Sequence, residues 1–119
     1  MAELIGQPTR IPVPGGKIID EYVGRASTGD AGVSVARMVA PGGWTEPAQA
    51  PGFDEITLVL RGSVRVETAD GVYDVGAGQA ILTRAGERIR YTTPDPEGAE
   101  YVAVCVPAFS PETAHRDPQ

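Results

Sequence analysis

The chain is poor in the residues that most often carry chemistry. Of its 119 residues, one is histidine and one is cysteine. A single cysteine, Cys105, closes no internal disulfide, so nothing calls for an oxidising compartment. It lies mid-run in YVAVCVP and reads as a small buried hydrophobe. The N-terminal stretch MAELIGQPTRIPVPGG has no basic leader before an apolar core, which argues against a signal peptide. No apolar run approaches the roughly 20 residues of a membrane helix. Basic residues are outnumbered, 10 against 16 acidic ones, for a formal net charge of -6. A phosphate backbone needs a basic surface, so nucleic acid is excluded as a partner. Internal repeats, low-complexity blocks and long segments of helical period are also missing. These absences lead us to expect a soluble, cytoplasmic protein with no membrane contact.

What the chain does have is punctuation. Fifteen glycines and eleven prolines divide short apolar runs rich in valine and isoleucine, the pattern of a turn-rich all-β chain. The runs predict strands over 17–23, 33–39, 54–61, 63–68, 72–75, 79–83, 88–93 and 99–106. Turn signals separate them, and Asp70-Gly71 is a strong hairpin cue. About eight short strands at this spacing predict a sandwich or barrel, with a double-sheet jelly roll among the natural closures. The length suits one domain over 1–119. Pro8, Pro12 and Pro14 mark residues 1–16 as an extended leader. The polar tail 107–119 is either loose or docked on the barrel or on a second subunit.

Two stretches carry a family resemblance. Residues 43–62 read GWTEPAQAPGFDEITLVLRG. In the first cupin motif a glycine is followed after five residues by His-x-His, then a glutamate, then a second glycine. Gly43, Glu55 and Gly62 fall into register, while Gln49 and Pro51 occupy the histidine slots. Residues 78–93 read GQAILTRAGERIRYTT and are similar to the second motif. Gly78 and Gly86 match there, with Arg84 in its proline slot, Ile89 in its histidine slot and Thr93 in its asparagine slot. The chain therefore resembles a small cupin over roughly 33–106. The resemblance implies an all-β, double-stranded β-helix (jelly-roll) barrel and a homodimer built on an outer sheet face. The wording FDEITLVLRG, with Ile89 and Tyr91 in the second motif, resembles the ethanolamine-utilisation Q-type cupins. That resemblance implies a barrel without the usual metal and an acetate-kinase-like activity.

The four ligand slots hold Gln49, Pro51, Glu55 and Ile89. Proline and isoleucine offer no lone pair, and a zinc or iron site needs three or four donors. We therefore expect no transition metal and no other cofactor. A hard-cation site from Glu46, Asp54 and Glu55 is the weaker alternative.

Glu55 is the leading catalytic candidate. Family register points it inward, and period two sends Thr57 and Val59 the same way and Ile56, Leu58 and Leu60 outward. A carboxylate among apolar neighbours should have a raised pKa and so suit acid–base work near neutral pH. The alternative is a satisfied polar group in the core. Tyr91 is the second catalytic candidate, able to hydrogen-bond Glu55 or a ligand. Gln49, Trp44, Thr57, Ile89 and Arg84 are expected to bind substrate. Trp44 either caps the cavity or packs at a sheet edge or subunit contact. Arg84 either receives an anion or lies on a surface turn. His115 adds acid–base capacity only if the tail folds over the barrel mouth.

Three functions stand side by side. The first is a metal-independent pocket for a small polar metabolite, with isomerase, lyase or cyclase chemistry on Glu55. The second is the phosphoryl transfer implied by the Q-type resemblance. It lacks a phosphate-cradling glycine loop, and only Arg84, Arg88 and Arg90 could supply charge. The third is a non-catalytic sensor or assembly subunit.

Overall fold

A computed structural model describes residues 1–115 of the chain. Its elements are β1 (Thr9–Ile11), β2 (Ile18–Val23), β3 (Ser34–Ala40), β4 (Trp44–Thr45), β5 (Asp54–Thr68), β6 (Gly71–Gly76), β7 (Ala80–Thr83), β8 (Ile89–Thr93), β9 (Ala99–Val106) and α1 (Pro111–Ala114). Every strand pairing is antiparallel. One sheet runs β1-β2-β3-β9-β5-β7 and the other β4-β8-β5-β6, so the chain curls around the shared β5. The jelly-roll expectation holds. Among the described residues no helix is long and apolar enough to cross a membrane.

The sharing of β5 corrects one expectation. The stretches 54–61 and 63–68 are not two strands parted by a turn at Arg61-Gly62. They form a single 15-residue strand. Its register shifts between Val59 and Arg61, and a bulge of this kind lets one strand bend between sheets. Gly62 follows with φ of 75°. A side-chain carbon at Gly62 would strike the carbonyl of Gly98, so the bend needs glycine for space as well as for dihedral. The hairpin at Asp70-Gly71 is present, pairing Thr68 with Gly71.

Alternation along the strands decides what is inside. On β5, Glu55, Thr57 and Val59 are buried, whereas Ile56, Leu58 and Leu60 stay 41–49% exposed. On β8, Ile89, Tyr91 and Thr93 are buried. On β9 the inward set is Ala99, Tyr101, Ala103 and Cys105. The larger apolar cluster centres on Val59, Val64, Val66, Ile89 and Tyr91. A smaller one joins Phe53, Cys105 and Ala114, with Phe109 packed against it.

The leader and the described part of the tail both pack on the barrel. The leader contains the edge strand β1, whose Arg10 forms an ion pair with Asp20 on β2 at 2.9 Å. The tail docks on its own barrel as far as it is described. Phe109 N donates to Ser34 Oγ at 2.9 Å, and Gly52 N donates to the Thr113 carbonyl at 2.8 Å. Ser110 caps α1, with Pro111 and Glu112 in the first turn, a start signal that the surrounding polarity hides. His115 Nδ1 lies 2.9 Å from the Ala50 carbonyl. The rest of the tail, 116–119, lies outside the described residues.

Candidate functional site

The two stretches that resembled cupin motifs meet inside the barrel. Gln49 and Ile89 exchange both backbone hydrogen bonds, N to O at 2.8 Å each way. That pair fixes the loop before β5 against β8 and brings Gln49 beside Tyr91. Glu55 enters from β5, 7% exposed, and Tyr91 from β8, 5% exposed. Tyr91 Oη donates to Glu55 Oε1 at 3.2 Å. Thr83 Oγ1 lies 3.3 Å from Tyr91 Oη.

The electrostatics of this group are one-sided. Burial pushes the Tyr91 phenol well above its usual range, and the Glu55 carboxylate adds to that shift. Hydroxyls of Thr83 and Thr57 hold it back in part. The Thr57 hydroxyl lies close enough to ease the shift, yet Thr57 Oγ1 is fully buried and makes no hydrogen bond of good geometry. Burial likewise pushes the Cys105 thiol up, again with help from Glu55. Both acids therefore stay protonated at neutral pH, and Tyr91 acts as a hydrogen-bond donor.

A small cavity opens beside Glu55. The space open to the centre of a water molecule is about 30 Å³, enough for one or two waters. Its polar lining comes from Lys17, Glu46, Gln49, Glu55 and Tyr91. Phe53, Tyr101 and Phe109 supply aromatic wall. Glu46, which the sequence offered only within the hard-cation alternative, is 8% exposed. Lys17 was not foreseen; its Nζ stands 4.2 Å over the Trp44 ring and 5.5 Å from that of Tyr101. Tyr101 and Cys105 were reachable from the alternation of β9. Phe109 was not, because it follows the last strand in a polar tail.

Several sequence candidates lie elsewhere. Arg84 does not face the cavity: its side chain is 71% exposed and pairs with Asp54 at 3.5 Å. It sits on the turn after β7, and that turn is held outside by Ala85 N donating to Asp54 Oδ1 at 2.8 Å. Trp44 is buried in the main apolar cluster, under Lys17, and is not part of the lining. Thr57 and Ile89 are buried on the inward face but also stand outside the lining. Gln49, Glu55 and Tyr91 are the candidates brought together.

The donors present do not fit a transition metal. Pro51 and Ile89 supply none, and Glu55 is engaged by Tyr91. Asp54, the third acid of the hard-cation alternative, is turned outward to Arg84. Among the described residues no group of three or more His, Cys, Asp or Glu could hold a metal ion.

Comparison with known proteins agrees with the barrel. A family model described as a cupin domain matches residues 37–105. Over 107 residues the chain is 43% identical to endoribonuclease YbeY of Myxococcus xanthus (strain DK1622), covering 90% of this chain and 36% of that protein. The chain thus spans only about a third of the length of that curated relative. Among solved structures, a variant of Bacillus subtilis oxalate decarboxylase superposes with a TM-score of 0.79 at 19% identity, covering 94% of this chain and 31% of that one. The conserved SPY1581 protein of unknown function from Streptococcus pyogenes gives 0.68 at 16% identity, covering 82% and 80%. At such identities the solved structures share the fold alone.

Proposed function

We propose, from the premise that this chain belongs to the cupin family, that it binds a small polar metabolite in the cavity beside Glu55. The same reading has Glu55 take or return a proton on that metabolite without a transition metal. The observation that carries it is the buried Tyr91–Glu55 contact at 3.2 Å, set in the cavity wall. Glu55 is the acid–base group. Tyr91 keeps its proton and orients the carboxyl, so it is a positioning residue. Gln49 supplies an amide to the ligand. Thr57 and Ile89 shape the inner wall behind these groups, and Trp44 holds Lys17 at the rim. The chemistry suited to one carboxyl in a small cavity is proton transfer next to a carbonyl, as in isomerisation, elimination or cyclisation.

Solvent-deuterium wash-in tests this directly. Acetone, dihydroxyacetone and aminoacetone are incubated with the protein in heavy water and followed by NMR. Exchange above the buffer rate is expected for at least one, reduced about 100-fold or more in Glu55→Gln. Exchange with none of the three sinks the acid–base part.

One comparison favours a second reading. A protein 43% identical over most of this chain, but far longer, is named an endoribonuclease. The cavity would then sense a metabolite on behalf of an RNA-cleaving partner, while the acidic barrel itself stays off the RNA. It expects this chain to alter cleavage by the endoribonuclease of its own organism; an unchanged rate with and without the chain ends it.

The Q-type phosphoryl transfer gains little. Arg84 and Arg90 are engaged with Asp54 and Glu67 away from the cavity. Heat on titrating ATP at millimolar concentration would revive that reading. A homodimer through Ile56, Leu58 and Leu60, and a cytoplasmic location, complete the proposal.

A further inference from the structure

The cavity beside Glu55 is smaller than a metabolite. Its water-accessible space of about 30 Å³ holds one or two waters. A ketone such as acetone enters only if part of the wall moves.

Most of that wall is fixed. Glu55, Tyr91, Tyr101 and Cys105 project inward from β5, β8 and β9, strands held in register by their ladders. Phe53, just before β5, is 2% exposed. Phe109 differs in two respects. It lies beyond β9 in the docked tail, outside every ladder. It is also half-buried, so its ring stands between the cavity and solvent. Its backbone is anchored independently of the ring. Ala108 N donates to the Ala31 carbonyl at 3.0 Å and Phe109 N to Ser34 Oγ at 2.9 Å, and buried Ala114 holds the far end of the segment. The ring meets Phe53 edge-on, with centroids 6.0 Å apart. A turn of the Phe109 side chain gives up that edge contact and breaks none of the backbone bonds.

The ring closes the Glu55 end of the cavity. Phe109 packs with Phe53 and Cys105 in the smaller cluster, and Cys105 is the ladder partner of Glu55. Lys17 and Met38 are the other lining residues that reach solvent. They border Tyr101 instead: Met38 pairs with it across β3 and β9, and Lys17 Nζ lies 5.5 Å from its ring.

We infer that Phe109 is the specificity-determining residue of this site. Its ring is the part of the wall that yields to a ligand, and so it sets the largest molecule admitted beside Glu55. The inference rests on the reading that the cavity takes a small metabolite.

The test is an NMR titration of the full chain with acetone and with cyclohexanone. Wild type is expected to bind acetone, with saturable shifts at Gln49, Glu55 and Tyr91, and to bind cyclohexanone about tenfold or more weakly. Phe109→Ala should reverse that order. Phe109→Leu, a smaller loss of volume, should move it part of the way, which keeps the test open if the alanine variant does not fold. Met38→Ala removes wall at the Tyr101 end and should leave the wild-type order. That order retained in both Phe109 variants overturns the assignment, and so does its reversal in Met38→Ala. Cys105, in the same lining, gives a readout that needs no ligand. Methyl methanethiosulfonate should modify it about tenfold or more faster in folded Phe109→Ala than in wild type. If neither ketone binds, the metabolite reading falls and the specificity with it, while faster labelling still identifies Phe109 as the yielding wall. Unchanged labelling together with no binding removes both.

Discussion

Tyr91 Oη donates to Glu55 Oε1 at 3.2 Å, and both side chains are at least nine-tenths buried. A buried carboxyl that accepts from a buried phenol has its orientation set in part by that donor.

Tyr91→Phe is expected to destabilise the protein by about 2 kcal/mol at neutral pH, the cost of stripping a hydrogen bond from a buried carboxyl. The folded-state phenol is raised above its unfolded value of about 10. Its contribution is therefore complete below about pH 10 and is lost as pH rises further, because the unfolded chain releases the proton first. Urea midpoints at pH 7 and pH 11 should show wild type losing more than the variant. Equal losses would mean that the phenol does not sit as described.

Cys105 should ignore thiol reagents in the native protein. It is 3% exposed, and burial with the nearby Glu55 charge pushes its thiol up, so thiolate is scarce. Labelling by a disulfide reagent at pH 8 is expected to wait for unfolding. Prompt stoichiometric labelling of folded protein would contradict this.

Gly62→Ala and Gly78→Ala separate strain from collision. Both positions have positive φ, 75° and 82°. At Gly78 nothing lies where a side-chain carbon would go, whereas at Gly62 it meets the Gly98 backbone. The left-handed dihedral alone costs about 1 kcal/mol at Gly78, and Gly62→Ala should cost about 3 kcal/mol or more. Equal thermal shifts in the two variants would show that the β5 bend is looser than the structure indicates.

Leu58→Glu addresses assembly. Ile56 pairs across to Leu82 and Val104, and Leu58 to Val102, so the outer face of β7, β5 and β9 is a continuous apolar strip. Sedimentation of wild type should give a two-fold dimer, and the variant a folded monomer. A wild type that is monomeric at about 100 μM, below the association expected of a standard interface, would remove the dimer from the proposal.

Much of the barrel was legible because strand patterning is a local property. Period two placed Glu55, Thr57 and Val59 on one face before any contact was known. The Asp70-Gly71 cue marked its hairpin, although the two turn residues are Ala69 and Asp70 and Gly71 opens β6. The errors fall where locality ends. Arg61-Gly62 has the look of a turn, yet the pairing of β9 with the first half of β5 and of β8 with the second carries one strand straight through it. For Arg84 the sequence left a pocket position and a surface turn open, and its contact with Asp54 goes with the turn.

The amino-acid order alone determined an all-β chain and its inward and outward faces. Only the tertiary structure decided that Lys17, Glu46, Tyr101 and Phe109 share one cavity with Glu55. Those residues come from five separate stretches of chain. Their convergence depends on long-range strand register and on a docked tail, neither of which leaves a periodic trace in the sequence.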